Sequence, residues 1–453
     1  MFPRSPLAAM RRRRLRHPAQ QVAAAFVVGI LVGTLLLALP TARAGPDGAP
    51  LQVATFTATS AVCVTGLTVV DTATYWSTLG QVIILLLIQV GGLGFMVLAS
   101  LLALAISRRL GLRQRLLAQT EINVAELGET RRVLLGVAGF SLLFEAAAAA
   151  VLAGRLWLGY DEPLGRAAWY GLFHAVSAFN NAGFALYSDN LVGFVDDGWV
   201  SLTVTLAVIA GGLGFPVLIE LVREPTRPRG WSLHTKLTLA MTWVLLAVGT
   251  LAILAFEWSN PGTLGRLDLP GKLLAGFFHG ANPRTAGFNS VDYAAMGETS
   301  WLVTDILMFI GAGSAGTSGG IRVTTFAVLV LMVIAEARGR STVNAFQRRI
   351  PQGAQRQALA VTLIGLGAVV AATLAITAQS GLPLSRTLFE AFSAFGTVGL
   401  TTGITPQLPL SSQNILILLM FLGRTGPITL ATALALRERE PRYRFPEERP
   451  IIG

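Results

Sequence analysis

Four short stretches of this sequence carry a glycine in a setting suited to holding a cation with backbone oxygen. They are Val64-Thr65-Gly66-Leu67, Asn181-Ala182-Gly183-Phe184, Thr285-Ala286-Gly287-Phe288 and Thr397-Val398-Gly399-Leu400. Glycine lacks a Cβ and tolerates φ > 0, so consecutive carbonyls around it can be aimed the same way. Such carbonyls replace an ion's hydration shell in known ion filters. A second group of residues stands out for small size. Gly311-Ala312-Gly313-Ser314-Ala315-Gly316-Thr317-Ser318-Gly319-Gly320 places five glycines in ten residues. It is not a phosphate-binding loop of the Gly-Lys-Ser/Thr kind, because Ile321 and Arg322 follow Gly320. It is not a nucleophile elbow either, since Ala312 occupies the position two residues before Ser314 where glycine is required.

The elements that must position these residues are set by composition. Of 453 residues, 53% are hydrophobic and 13% charged, about half the charge of an average soluble domain. Several uncharged runs reach the roughly 20 residues needed to cross a bilayer. The expected spans are 22–40, 79–106, 133–153, 199–222, 236–257, 301–334, 356–378 and 413–436. The basic run Arg11 to Arg14, followed by an apolar stretch from Val22 to Pro40, reads as a first membrane helix, because that stretch is too long for a signal peptide's core. Half-apolar stretches near 51–65, 166–182, 270–286 and 385–398 are too short to cross and too apolar to be solvated loops. Re-entrant segments whose backbone is buried in protein fit that description.

The net charge of +11 is a matter of topology. The N-terminus and the segments 107–132, 223–236, 335–356 and 437–453 hold 26 of the 35 Lys and Arg residues. Under the positive-inside rule both termini and these loops are cytoplasmic, and the short apolar stretches enter from outside. Nothing in this distribution calls for nucleic acid. Cys63, the single cysteine, excludes an intrachain disulfide framework and reads as a small buried residue.

The glycine stretches are in register with a longer repeat. Ser-Ala recurs at one offset before three of them (Ser60-Ala61, Ser177-Ala178, Ser393-Ala394), and a further glycine follows each by 25, 28, 24 and 24 residues at Gly91, Gly211, Gly311 and Gly423. The third stretch departs, with Ala281-Asn282-Pro283 in place of Ser-Ala. The expected fold is an all-α integral membrane protein of four covalently linked helix, pore loop, helix repeats, with fourfold pseudosymmetry around a central pore like that of K+ channels. The expected organisation is a basic cytoplasmic N-terminus at 1–20, repeats at 21–106, 107–222, 223–340 and 341–436, and a cytoplasmic tail at 437–453. A short helix entering from outside points the negative end of its dipole inward, and four of them favour a cation at the axis. The glycine-rich segment 311–320 should break the second helix of repeat three, since each interior glycine costs a helix about 1 kcal/mol. Broken backbone at that depth must line a cavity or be buried in protein, which makes it a gate below the glycines.

Two charges escape the topological explanation. Arg424 sits mid-span between Gly423 and Thr425 and needs a polar partner or cavity; Glu145, also mid-span, is one candidate partner. Arg322 follows the glycine-rich segment as either a latch or an anchor. Asp71, Asp189 and Asp292, just past three of the glycines, either concentrate cations at the outer mouth or cap turns. His174 and His279 begin re-entrant stretches without the spacing of a metal site.

The segments TSAVCVTGLTVVDT (59–72), FHAVSAFNNAGF (173–184), RTAGFNSVD (284–292) and FSAFGTVGLTTG (392–403) resemble the four filter regions of the Trk/Ktr/HKT potassium-transporter superfamily. The eight-span count places the chain nearest the bacterial Ktr pore-forming subunit. The resemblance implies K+ uptake across the cytoplasmic membrane, with K+ held at Val64, Thr65, Gly66, Asn181, Ala182, Gly183, Thr285, Ala286, Gly287, Thr397, Val398 and Gly399. Glycine at position 66, where some sodium-preferring relatives carry serine, points to potassium. By the same resemblance Gly311, Gly313, Ser314, Gly316, Thr317, Ser318, Gly319 and Gly320 form an intramembrane gate loop, with Arg424 projecting toward it. The resemblance further implies no covalent cofactor, no metal beyond K+ in the filter, Na+ as an activator, and a homodimer on a cytosolic ring of nucleotide-binding, RCK-type regulatory subunits such as KtrA. The competing class is a cation-coupled (H+ or Na+) secondary permease, which calls for inverted repeats. An enzyme is not expected.

Overall fold

The computed structural model describes residues 18–109, 127–314 and 316–426. Most of the basic N-terminus, most of the 107–132 loop, Ala315, the end of the 413–436 span and the 437–453 tail lie outside the described residues.

Long and short helices alternate along the chain. Helix α1 (Pro18–Leu37), short α2 (Leu51–Val62) and α3 (Thr78–Arg109) come first, then α4 (Leu127–Gly159), short α5 (Leu164–Phe179) and the pair α6 (Gly198–Leu213) and α7 (Phe215–Arg223). Helix α8 (Leu233–Glu257), short α9 (Leu269–Ala281), α10 (Glu298–Ile310) and α11 (Val323–Ala337) follow, and α12 (Gln352–Ser380), short α13 (Leu384–Gly396) and α14 (Leu410–Thr425) complete the described chain. Each of the four short helices starts at or beside a proline: Pro50, Pro163, Pro270 and Pro383. Proline fixes φ near the helical value and lacks the N–H that a helix start leaves unpaired. At 1.5 Å per residue, helices of 12 to 16 residues reach about 18–24 Å, short of the roughly 30 Å hydrocarbon core.

Burial follows the same division. The C-terminal halves of the short helices are enclosed: Phe56 through Val62, polar residues included, Phe173 through Phe179, Phe278 through Ala281, and most of Phe389 through Gly396 lie inside the protein. Large apolar side chains instead face outward on the long helices, among them Leu31 and Leu35 on α1, Leu143 on α4, Leu251 on α8 and Leu363 and Leu374 on α12. A soluble protein does not present so much contiguous apolar surface, and lipid does not object to it. Among the described residues, three unbroken helices, Gly136–Gly159, Leu233–Glu257 and Gln352–Ser380, are long and apolar enough to cross a membrane, with shorter apolar helices at Ala23–Leu37, Thr78–Gly94 and Val323–Ala337.

Two features differ from the sequence reading. The span expected at 199–222 is bent by 98° between α6 and α7. Gly214 takes φ +89° at the corner, and Pro216 cannot supply the N–H that a continuing helix would send to the Gly212 carbonyl. The first copy of the GGLGF peptide, Gly91–Phe95, is followed by Met96 rather than proline and stays inside α3. The all-helical expectation also misses a two-residue antiparallel ladder, Asn344–Ala345 with Arg348–Arg349, closed through Phe346 and Gln347, both at positive φ as tight hairpins require.

Candidate functional site

The C-terminal ends of α2, α5, α9 and α13 deliver the four glycine stretches to one place. Gly66, Gly183, Gly287 and Gly399 all take positive φ, at +93°, +67°, +72° and +97°. A Cβ built on Gly66 would run into the Ala182 carbonyl oxygen and lie 3.1 Å from the Cα of Gly183. One on Gly183 would lie 2.6 Å from the Ala286 oxygen and 3.0 Å from the Gly287 Cα. On Gly287 it would meet the Val398 oxygen and approach the Gly399 Cα at 3.1 Å; on Gly399 it would meet the Thr65 oxygen and approach the Gly66 Cα at 2.9 Å. Each stretch abuts the next in chain order and the fourth returns to the first, so the ring is closed. The glycines are there for two reasons at once: the backbone conformation and the absence of room for any side chain.

Val64, Asn181 and Thr397, two residues ahead of their glycines, also sit at positive φ, at +57°, +59° and +50°. For β-branched Val64 and Thr397 this is a disfavoured conformation of the kind that concentrates at functional sites. Thr285, at the matching place, has φ 177°, so the third stretch departs in backbone as well as in sequence. The recurrent serine is explained by its bonds. Ser60 Oγ accepts from the Gly66 N–H at 3.0 Å and Ser393 Oγ from the Gly399 N–H at 3.1 Å, while Ser177 Oγ donates to the Phe184 carbonyl at 2.8 Å. The recurrent downstream glycine is a packing device. The faces of Gly91, Gly211 and Gly423 press directly on the carbonyls of Val62, Phe179 and Phe395, each four residues before a ring glycine.

Beside the ring, the described residues between Gly311 and Gly320 are not helical and are largely buried. The bend between α6 and α7 receives them: the Gly212 carbonyl, released by Pro216, accepts from the Gly313 N–H at 2.8 Å, and the Gly211 carbonyl accepts from the Thr317 N–H at 3.3 Å. Arg424, fully buried, donates to the Thr317 carbonyl and, at 2.8 Å, to the Gly91 carbonyl. Glu145 is engaged elsewhere, accepting from Gln89 and Asn180 at about 3.0 Å. Arg322 bonds within the loop, to Ser318 Oγ at 2.9 Å and the Gly313 carbonyl at 3.4 Å. Asn181, expected from the sequence as one of the cation-holding residues, also ties ring and loop together. Its amide oxygen faces Thr317 Oγ1 at 2.6 Å and its nitrogen faces Thr285 Oγ1 at 3.1 Å. No periodic signal marks that link, because it joins residues 136 positions apart.

The three carboxylates just past ring glycines, Asp71, Asp189 and Asp292, cap turns. Asp71 accepts from the Ala73 N–H, Thr74 Oγ1 and Ser188 Oγ; partial burial alone would raise its pKa, but these three bonds outweigh it and lower the pKa. Asp189 accepts from the Gly193 N–H and Asp292 from the Ala294 N–H. Among the described residues no cluster of three His, Cys, Asp or Glu side chains is placed to hold a metal.

A family model described as TrkH, cation transport protein, matches residues 4–442. The Ktr system potassium uptake protein B of Bacillus subtilis is 43% identical over 436 residues, covering 96% of this chain and 97% of that protein. The protein of the same name from Vibrio alginolyticus is 38% identical, covering 94% and 93%. The potassium/sodium uptake protein NtpJ of Enterococcus hirae is 35% identical, covering 98% of each. The crystal structure of the potassium transporter TrkH from Vibrio parahaemolyticus superposes with a TM-score of 0.73 at 18% identity, over 93% of this chain and 86% of that one, and so shares the fold.

The packing role of the recurrent glycines has a direct test. Gly211→Val should lower the melting temperature of the detergent-purified protein by the equivalent of about 1–3 kcal/mol or more, since the carbonyl it meets is backbone and cannot yield. Gly154→Ala, which faces open space, should stay within about 0.5 kcal/mol of the parent; equal effects would contradict the packing role.

Proposed function

The chain belongs to the TrkH family of cation transport proteins, and on that premise we propose that it is the ion-translocating subunit of a potassium uptake system of the Ktr/Trk type, a transporter and not an enzyme. The observation that carries this reading is the closed ring of four positive-φ glycines, each against its neighbour's carbonyl. In this proposal a K+ ion sheds its water between the four stretches and is held by the carbonyls of Val64, Thr65, Gly66, Asn181, Ala182, Gly183, Thr285, Ala286, Gly287, Thr397, Val398 and Gly399. The inward-pointing C-termini of α2, α5, α9 and α13 add negative potential at the same place. Asp71, Asp189 and Asp292 contribute at the outer mouth while capping their turns.

Passage beyond the ring is controlled by the segment Gly311 to Gly320. In support, its Thr317 carbonyl is gripped by Arg424, its Ser318 and Gly313 by Arg322, and its side near the ring by Asn181. A buried guanidinium has a second use in a cation path: while it lies beneath the ring, its charge opposes an ion standing there. Movement of the loop and of Arg424 together would remove both obstacles. The reading extends to repeats bounded at 21–106, 107–222, 223–340 and 341–436, to residence in the bacterial cytoplasmic membrane with both termini cytoplasmic, and to a homodimer. The word "system" in two relatives' names supports a further subunit, here taken as a cytosolic RCK-type ring carrying the nucleotide. Na+ enters as an activator in the same proposal.

Replacing Gly66 or Gly183 with Ser should lower the ratio of rubidium to sodium uptake in cells lacking other potassium transporters, by tenfold or more; an unchanged ratio contradicts the filter. Deleting residues 313–318 should raise passive flux through the purified, reconstituted protein, and flux equal to that of the parent contradicts the gate.

A further inference from the structure

Each short helix carries a buried polar side chain at almost the same distance ahead of its ring glycine: Thr57, His174, His279 and Glu390, at nine, nine, eight and nine residues. In three of the four that side chain performs one task. His174 Nε2 accepts from the Leu186 N–H at 3.2 Å, His279 Nε2 from the Ser290 N–H at 3.3 Å, and Glu390 Oε1 from the Thr402 N–H at 3.0 Å. Leu186, Ser290 and Thr402 all lie three residues after a ring glycine, in chain that belongs to no helix or strand. Their amides have no ladder to join, and a buried amide without a partner is destabilising.

The protonation of the histidines follows from their partners. The second nitrogen of His174 lies 2.7 Å from the Tyr170 carbonyl, which can only accept, so the proton is on Nδ1 and Nε2 is free to accept. In His279 the Ser290 amide can only donate, which places the proton on Nδ1 facing the Tyr293 hydroxyl at 3.0 Å. Glu390 does more than either. Its carboxyl group also accepts from Thr401 Oγ1 at 2.5 Å and from Thr405 Oγ1 at 2.7 Å, so one side chain gathers the whole outer leg of the fourth stretch. Hydrogen bonds to a carboxylate are shorter and stronger than neutral ones. In the first stretch the matching Thr57 is too short for the task, and its buried hydroxyl has no partner among the described residues. The ring is therefore held from behind unequally, most firmly at Gly399.

We propose that Glu390, with His174 and His279 at the matching register, is a positioning residue for cation selection, holding the strand beyond the ring glycine so that the ring's carbonyls cannot close around an ion smaller than K+. This rests on the reading of the ring as a filter.

The test uses the full chain in cells lacking other potassium transporters, with tracer rubidium and sodium uptake normalised to membrane-inserted protein. Glu390→Leu should lower the rubidium to sodium ratio at least tenfold, about 1.4 kcal/mol, while Glu390→Gln, which keeps an acceptor oxygen at the Thr402 amide, should stay within threefold of the parent. The pair His279→Leu and His279→Gln should divide in the same way, and it decides the matter if Glu390→Leu fails to reach the membrane. Gly399→Ser is measured beside them. A lowered ratio in Gly399→Ser with parental ratios in both leucine variants overturns the positioning role and leaves the filter standing. A parental ratio in Gly399→Ser removes the filter, and this inference with it.

Discussion

Around the ring, four stretches of chain run so close together that a Cβ on any one glycine would collide with the backbone of the next. Close approach of this kind crowds backbone dipoles against one another, and such crowding is costly unless the rest of the protein restrains it. Much of the surrounding architecture restrains them. Ser60 and Ser393 bind the ring amides, buried side chains on three short helices bind the amides three residues further on, and Gly91, Gly211 and Gly423 allow a second helix to lie flat against the carbonyl at the end of a short one. Outward-facing leucines on the long helices then place this polar centre inside lipid.

The second constraint is that a bilayer offers no water to satisfy broken backbone. Two breaks in the chain answer each other. The corner at Gly214 and Pro216 strips α6 of hydrogen bonds at its last turn, and the segment following Gly311 supplies N–H groups to those same carbonyls. Arg424 adds charge-assisted donors to the Thr317 and Gly91 carbonyls. Under the proposed gating, a loop held by hydrogen bonds to an adjoining break, rather than by its own helix, can exchange those bonds without unfolding a span. Asn181 places one end of such an exchange against the ring itself.

The sequence disclosed what repeats and hid what is particular. Gly66, Gly183, Gly287 and Gly399 were legible because each solves the same steric problem, and the Ser-Ala and downstream glycine recurrences because each copy reuses the same brace. The short helices were legible from length and apolarity alone. The bend at Gly214 was not, since GGLGF occurs twice and only Pro216 distinguishes the bent copy. Nor were the partners of Arg424, where a mid-span carboxylate at Glu145 offered a reasonable alternative; three-dimensional packing gave Glu145 to Gln89 and Asn180 instead. His174, His279 and Glu390 share a register but not a chemistry, so no motif joins them. Their equivalence is visible only in what they bind.

The most direct test of the central claim is flux of tracer rubidium into vesicles containing the purified protein, driven by a potassium gradient, with K+ or Na+ added outside as competitor. A ring of carbonyls held to the size of a dehydrated potassium ion predicts that external K+ suppresses rubidium entry at concentrations at least tenfold lower than Na+ does. Equal suppression by the two ions would contradict the account.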